Sequence, residues 1–334
     1  MLPGFWHGAA SLSGRLDLSG LRRAAGAEPW ETLSAERLVS AGVSPAHVRA
    51  LRAAAPLAAL GPAWTLQDPA YPAALAALPY APPVLFAEGN AARLHDPLVA
   101  IVGARACTGL GAAMARRLSA AVAAAGGTVV SGLAYGIDTA AHEAAAGSTI
   151  AVLGQGLAAP MTRAQARLRA AILDAGGLVL TEFPPTHPAS PRTFPQRNRI
   201  IAGLARATVV VEAKLRSGSL GTARAALDAG REVLAVPGHP LQPEAEGCLL
   251  LLAEGAGLVR SPDDVLDAIG LSAPRPAAPD PLLAAAGPAG RSAEELADLL
   301  DWPLPTVLTR IAALELAGQL EALPGERYRA AAPR

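Results

Sequence analysis

The sequence predicts an α/β protein centred on a doubly wound parallel sheet, with a small helical domain before it and a winged helix after it. Three observations carry this. Between about residues 62 and 270, short β-rich runs ending in glycine or polar residues alternate with alanine-rich helical stretches, as βα units do. Those runs are apolar throughout rather than alternating, the pattern of strands buried on both faces. The flanking segments instead place apolar residues at helical spacing.

In chain order, residues 1–60 hold LSGLRRAAGAEPWETL and ERLVSAGVSPAHVRALRAAA, helical stretches divided by Gly- and Pro-marked breaks. Their charges balance, which argues against a strong grip on a polyanion. Residues 61–271 hold the expected strands Leu98–Val102, Thr128–Ser131, Thr149–Leu153, Leu178–Thr181, Thr208–Glu212 and Glu232–Val236. Helices such as GAAMARRLSAAVAAAG and TRAQARLRAAILDAG lie between them. Residues 272–290, SAPRPAAPDPLLAAAGPAG, read by composition as a linker. Residues 291–334 open on a capping box, Ser292 with Glu295 three positions on. Two helices and a hairpin, LEALPG-ERYRA, then make a winged helix-turn-helix.

Composition bounds the function. The formal net charge is zero, 51% of residues are hydrophobic and 17% are charged. Nearly all the cations are Arg, a bias that GC-rich coding shares with Ala, Gly and Pro, so Arg usage alone says little about recognition. Cys107 and Cys248 form no CxxC, which indicates neither a zinc site nor a disulfide framework. No run has the signature of a secretory leader or the length of a membrane span, so a soluble, cytoplasmic protein without membrane contact is expected.

Within this neutral chain, Pro191 to Arg224 gathers seven basic residues against one acid, Glu212, and holds Lys214, the only lysine. In a doubly wound sheet, ligands bind where strands end at their carboxyl side. Those ends carry Gly103-Ala104-Arg105 and Thr108–Gly111, then Ser131-Gly132 with Gly136-Ile137-Asp138, then Gly154-Gln155-Gly156, and finally Lys214 with the Ser217–Thr222 turn. Small residues let backbone N–H groups approach an anion, and helix starts add partial positive charge. Arg105, Arg192, Arg197 and Lys214 could add full charges, so a phosphate-bearing ligand is expected. The spacing is not a dinucleotide fingerprint, because Ser131 or Gly132 stands where an acid should end the second strand. No cofactor is therefore expected.

Other candidates have plainer readings. Asp138 and His142 are spaced as a metal pair could be, but a capping Asp and a packed His account for them, and no metal is expected. Glu182 and Glu212 end strands near the ligand edge without a nucleophile, and the reading is that they orient neighbouring Arg residues. Cys107 reads as a small hydrophobe rather than an activated thiol. Phe194 admits two readings, a core anchor or a platform for an unpaired base.

The segments VAIVGARACTGLG, VVSGLAYGIDTAAH, IAVLGQGL, FPQRNRIIAGL, VVEAKLRSGSLGTA and EVLAVPGHPLQPEAEGCLLLLAEGAGLV resemble the DNA-processing protein A family (DprA, also called Smf). The resemblance covers about 80–275 in register. It implies a Rossmann-like core, a SAM-like N-terminal domain and a winged helix, and a protein that binds single-stranded DNA, forms homodimers and helps load RecA recombinase in natural transformation. By position, it implies that Arg105 and Arg192 contact phosphates, that Phe194 meets a base, and that Arg197, Asn198 and Lys214 surround the pocket. Gly103, Ser131, Gly132, Ser217, Gly218 and Ser219 complete the expected nucleic-acid site. Two departures stand out: Ala104 and Cys107 where the family has serine and proline, and Tyr135 where a basic residue is common. A dimer contact is expected around Leu249–Leu252 and Leu258.

Two other functions compete. SGSLGTA resembles the PGGxGTxxE loop of lysine-decarboxylase-like nucleotide phosphoribohydrolases, but the catalytic glutamate position falls at Ala225, so a binding protein rather than an enzyme is expected. A transcription regulator would act through the expected recognition helix, Pro303–Ala317, which carries only Arg310 and Glu315 as charges. From Gly287 to Arg334 seven acids face five bases, a balance that does not favour DNA.

Overall fold

The structure, a computed structural model, describes residues 4–13, 18–26, 28–54, 62–273 and 280–331. It divides into two compact units, Met1–Ala273 and Pro274–Arg334.

Among the described residues the first unit has nine strands: β1 (Ala63–Thr65), β2 (Val84–Gly89), β3 (Leu98–Val102), β4 (Thr128–Ser131), β5 (Thr149–Val152), β6 (Leu178–Thr181), β7 (Ala207–Val210), β8 (Glu232–Ala235) and β9 (Gly257–Leu258). Their order is β1-β2-β6-β5-β4-β3-β7-β8-β9. From β6 to β9 the pairing is parallel, while β1 and β2 add an antiparallel edge. The chain starts the parallel part at β3, steps outward to β6, then returns to place β7 on the other side of β3 in the register Val99↔Ala207 to Val102↔Val210. That reversal is the switch point at which such sheets bind ligands.

All five residues of β3 are buried, and alternate residues feed different apolar layers. Val99 and Ile101 join Leu118, Val122, Ile137 and Ile269 on one face. Leu98, Ala100 and Val102 join Ile200, Ile201, Leu204 and Leu220 on the other. The second layer runs without a break into the N-terminal helices through Phe5, Trp6, Leu21, Leu38 and Leu51. Trp6 stacks on Trp30 at 5.6 Å between ring centroids and donates its indole N–H to Glu31 at 3.0 Å. The expected boundary at residue 60 lies outside the described residues, and one apolar core holds residues from both sides of it.

The second unit has a three-stranded sheet of β10 (Arg291–Ser292), β11 (Leu320–Leu323) and β12 (Arg327–Ala330) in the order β10-β12-β11. Helices Ala293–Leu300 and Leu304–Leu316 pack with it around Leu296, Val307, Ile311 and Leu314. The expected capping box forms: Ser292 Oγ accepts from Glu295 N, and the Glu295 carboxylate accepts from Ser292 N. One correction falls on the segment read as linker, which carries a helix at Pro281–Ala286. Asp280 caps it by accepting from Leu282 N at 2.9 Å, Pro281 takes the first turn where its missing N–H costs nothing, and Leu282 is fully buried. Proline and alanine there build structure. Residues 274–279 of the same stretch lie outside the described residues.

Candidate functional site

At the carboxyl ends of the parallel strands lies a cleft of about 1200 Å³. The β3 end contributes Gly103 to Ala106, the helix Thr193–Leu204 contributes Phe194, Arg197 and Asn198, and the segment after β7 contributes Lys214 to Thr222 and Arg224. Its aromatic element is half-buried Phe194. The Arg105 guanidinium lies 5.3 Å from the Phe194 ring centroid, a cation–π contact. Gly154 sits so close to the ring that a Cβ there would come within 2.8 Å of it. The glycine turn after β5 thus seats the aromatic ring, and the turn after β3 places a cation over it.

The helix Gly218–Asp228 opens into this cleft. Ser217 caps it by accepting from Ser219 N at 3.3 Å, and the two hydroxyls lie 2.7 Å apart. Gly218 and Gly221 have no positive φ that would demand glycine. A Cβ on Gly218 would meet nothing within 4 Å, and one on Gly221 only Asn198 Nδ2 at 3.9 Å. Neither glycine is needed for the protein's own packing, so both leave room for something else.

The seven cations of the 191–224 segment meet different fates. Arg197 is 4% exposed, and its Nη1 donates to the carbonyls of Gly132 at 2.7 Å and of Val152. Burial lowers its pKa to about 10, with Asp138 opposing that fall. Arg199 pairs with fully buried Glu182 at 2.5 Å, and Arg206 donates to the Ile269 carbonyl at 2.8 Å. Lys214 Nζ lies 3.1 Å from Glu244. Arg192, Arg216 and Arg224 are exposed. Arg216 and Arg224 line the cleft, whereas Arg192 does not.

Glu182 behaves as the sequence reading expects, orienting Arg199, while also accepting from Gln196 Nε2 at 3.2 Å and from Ser13 Oγ. Glu212 does not orient an Arg. Its carboxylate accepts from Thr108 N at 2.9 Å and from Thr108 Oγ1 at 2.5 Å, at the start of the helix Gly109–Ala124. Burial, and secondarily this carboxylate, push the Cys107 thiol pKa up, so Cys107 is no activated nucleophile.

The Asp138–His142 pair is structural. Asp138 accepts from Gly132 N at 3.0 Å and Ala134 N at 3.3 Å. His142 uses both ring nitrogens, one 2.7 Å from Thr149 Oγ1 and the other accepting from Leu133 N at 3.3 Å. Burial lowers its pKa to about 3, so it stays neutral. Among the described residues, no group of three His, Cys, Asp or Glu side chains is placed to hold a metal ion.

Of the twelve expected site residues, nine line the cleft: Gly103, Arg105, Phe194, Arg197, Asn198, Lys214, Ser217, Gly218 and Ser219. Three do not. Ser131 is fully buried and donates to the Ile101 carbonyl at 2.7 Å. Gly132 lies beneath Arg197, where a Cβ would come within 2.6 Å of Nη1. Arg192 occupies the N-cap position of the Phe194 helix, outside the cleft. Arg197, though within the lining, is buried and its Nη1 donates to two backbone carbonyls, so it works as scaffold. Arg216 and Arg224 are the cleft cations that the expected site omits. Arg216 directly precedes Ser217 and Arg224 lies two residues past Thr222, so charge beside the named turn was the available signal. Tyr135, at the position where a basic residue is common, donates its hydroxyl to Thr162 at 3.0 Å.

Residues 63–270 match the family described as DNA recombination-mediator protein A, and residues 267–326 match the DprA winged helix domain. Protein Smf of Escherichia coli K12 is 42% identical over 275 residues, which is 76% of this chain and 74% of that protein. The chain belongs to the DNA recombination-mediator protein A family. DNA processing protein DprA of Streptococcus pneumoniae R6 is 45% identical over 208 residues, 61% of this chain and 73% of that protein. The X-ray structure of DprA from Streptococcus pneumoniae superposes with a TM-score of 0.70 at 36% identity, over 80% of this chain and 98% of that one. DNA processing protein A from Helicobacter pylori, whose structure concerns a unique single-stranded DNA binding mode, gives 0.57 at 27% identity over 62% and 95%. The resemblance read from the motifs and the doubly wound sheet with its winged helix are thereby borne out. No helix among the described residues is long and apolar enough to cross a membrane.

Proposed function

We propose that this protein binds single-stranded DNA in the cleft, without catalysing a reaction on it, and passes the strand to RecA recombinase. The observation that carries the reading is the placing of a half-buried aromatic ring, Phe194, beside Arg105 in a cleft whose far wall holds Lys214, Arg216 and Arg224. Stacking on Phe194 needs an unpaired base, and exposed cations beside an open helix start suit the phosphates on either side of it. The single-stranded DNA binding described for the Helicobacter pylori relative supports this assignment.

Hydrolysis of a nucleotide is the competing reading. It needs a carboxylate at residue 225, where Ala225 offers a methyl group. RecA loading and dimerisation rest on the family resemblance. For the dimer, Leu250 and Leu258 are 39% and 47% exposed near the β9 edge while Leu251 is buried, so the first two are the proposed contacts.

Binding of labelled single-stranded DNA, duplex and mononucleotide across a salt series tests the reading. Single strands should bind best, and Arg105→Ala, Arg216→Ala and Arg224→Ala should each lower the salt slope by about 0.7 per lost phosphate contact. Unchanged affinity in all three variants would remove the cleft as the site. RecA filament growth on protein-coated single strands, with and without this protein, tests the hand-over, and light scattering of Leu250→Glu against the unaltered chain tests the dimer.

A further inference from the structure

The sheet's switch point lies between β3 and β7, and the first helix beyond it starts at Gly109 with Thr108 as its cap. By the general rule for such sheets this is where a nucleotide phosphate would sit, held by amides and the positive end of the helix. Here the position is taken. Glu212, just beyond the carboxyl end of β7, reaches across and accepts from both the backbone N–H and the hydroxyl of Thr108, at 2.9 and 2.5 Å. The hydroxyl in turn accepts from Gly111 N at 3.0 Å. A second, independent observation is steric: a Cβ on Gly111 would overlap the Glu212 carboxylate, so the glycine makes room for the protein's own anion. A third is topographic. The cleft is lined by Ser217 to Thr222 of the other helix start and by none of Thr108 to Gly111.

We infer that Glu212 is a specificity-determining residue: its carboxylate fills the switch-point anion seat and so bars the phosphate of a free nucleotide from it. A phosphate entering would have to expel a hydrogen-bonded carboxylate or sit beside a like charge. A mononucleotide or dinucleotide that would place its phosphate at the Thr108 start is therefore refused there. A ligand that presents phosphates to the Ser217–Gly221 start instead is untouched by the plug. This exclusion stands whether or not single-stranded DNA is the ligand that enters the cleft.

The test is calorimetric titration of 5′-AMP, adenosine and inorganic phosphate into the full chain and into Glu212→Gln and Glu212→Ala, each checked by circular dichroism and thermal melting. The expected result is at least a tenfold gain in 5′-AMP affinity for Glu212→Ala, a smaller gain for Glu212→Gln, and no gain for adenosine. The gain should persist in a Lys214→Ala background, since Lys214 belongs to the other helix start. Equal 5′-AMP affinity in the folded variants would overturn the inference, as would an equal gain for adenosine, which would mark a mere cavity. Should Glu212→Ala fail to fold, Glu212→Gln keeps the shape and loses the charge, and unchanged 5′-AMP and phosphate binding by that variant would overturn it equally. Failure of the unaltered chain to bind single-stranded DNA, measured on the same preparations, would remove the proposed function and leave this exclusion standing.

Discussion

The helix starts at Gly109 and Gly218 are chemically alike and differ in what occupies them. Each has a hydroxyl cap, Thr108 or Ser217, and two glycines within its first turn, and each stands at the carboxyl edge of the same sheet. At the first, Glu212 accepts from the Thr108 N–H and hydroxyl, and Gly111 is needed to accommodate it. At the second, no side chain presses on Gly218, the nearest to Gly221 is an amide, and Arg216 and Arg224 flank the opening. A glycine-rich helix start is thus a capacity for anions rather than proof of one. Whether the capacity is open depends on a carboxylate supplied from elsewhere in the fold.

Making the open start resemble the closed one should have the largest effect. Gly221→Glu has space for its Cβ, so the fold should persist, while a carboxylate brought against incoming phosphates should cost roughly a hundredfold in single-strand affinity, since like-charge juxtaposition costs several kcal/mol. Wild-type affinity in that variant would mean that the second start is not in use. Phe194→Ala comes next. Loss of one stacked base is worth ~1–3 kcal/mol, and the salt slope should stay unchanged because no charge is removed. A parallel loss of slope would point to an electrostatic role acting through Arg105.

Disturbing the closed start should separate stability from binding. Thr108→Ala removes a cap and one of the hydrogen bonds to Glu212, which should lower unfolding free energy by about 1 kcal/mol in denaturant titrations. Single-strand affinity should stay close to that of the unaltered chain, because Thr108 does not line the cleft, and a large loss would show that both starts serve the ligand. The smallest effect is expected at Lys214. Glu244→Gln frees the ammonium of its partner at 3.1 Å, and because exposed pairs are weak the gain in affinity should not exceed about twofold. A loss of affinity would show that the pair positions Lys214 rather than competing for it.

The central strands were legible because burial on both faces writes an unbroken apolar run: Leu98–Val102, Thr128–Ser131 and Leu178–Thr181 fall where their composition puts them. The antiparallel edge was not. The three residues of β1 are too few to show a period, and Val84 to Ala87 reads as any short apolar run. The site was legible as a neighbourhood of charge, since positive residues and glycine turns can be counted at strand ends. It was not legible as a set of working cations. Arg197 is withdrawn by the carbonyls of Gly132 and Val152, Arg199 by Glu182, and Lys214 is shared with Glu244. Those partners come from other strands and loops, and spacing along the chain carries no trace of them. The Pro281–Ala286 helix was hidden for a related reason: proline and alanine describe a linker by composition, while Asp280 and a buried Leu282 make a capped helix by position.

The chain carries a single lysine, and it sits in the cleft wall with its side chain 59% exposed. Amine-directed chemistry therefore has one side-chain address on this protein. A fluorophore or spin label coupled there would report on the occupied face without any engineered cysteine. Protection of Lys214 from acylation becomes a direct footprint of whatever fills the cleft.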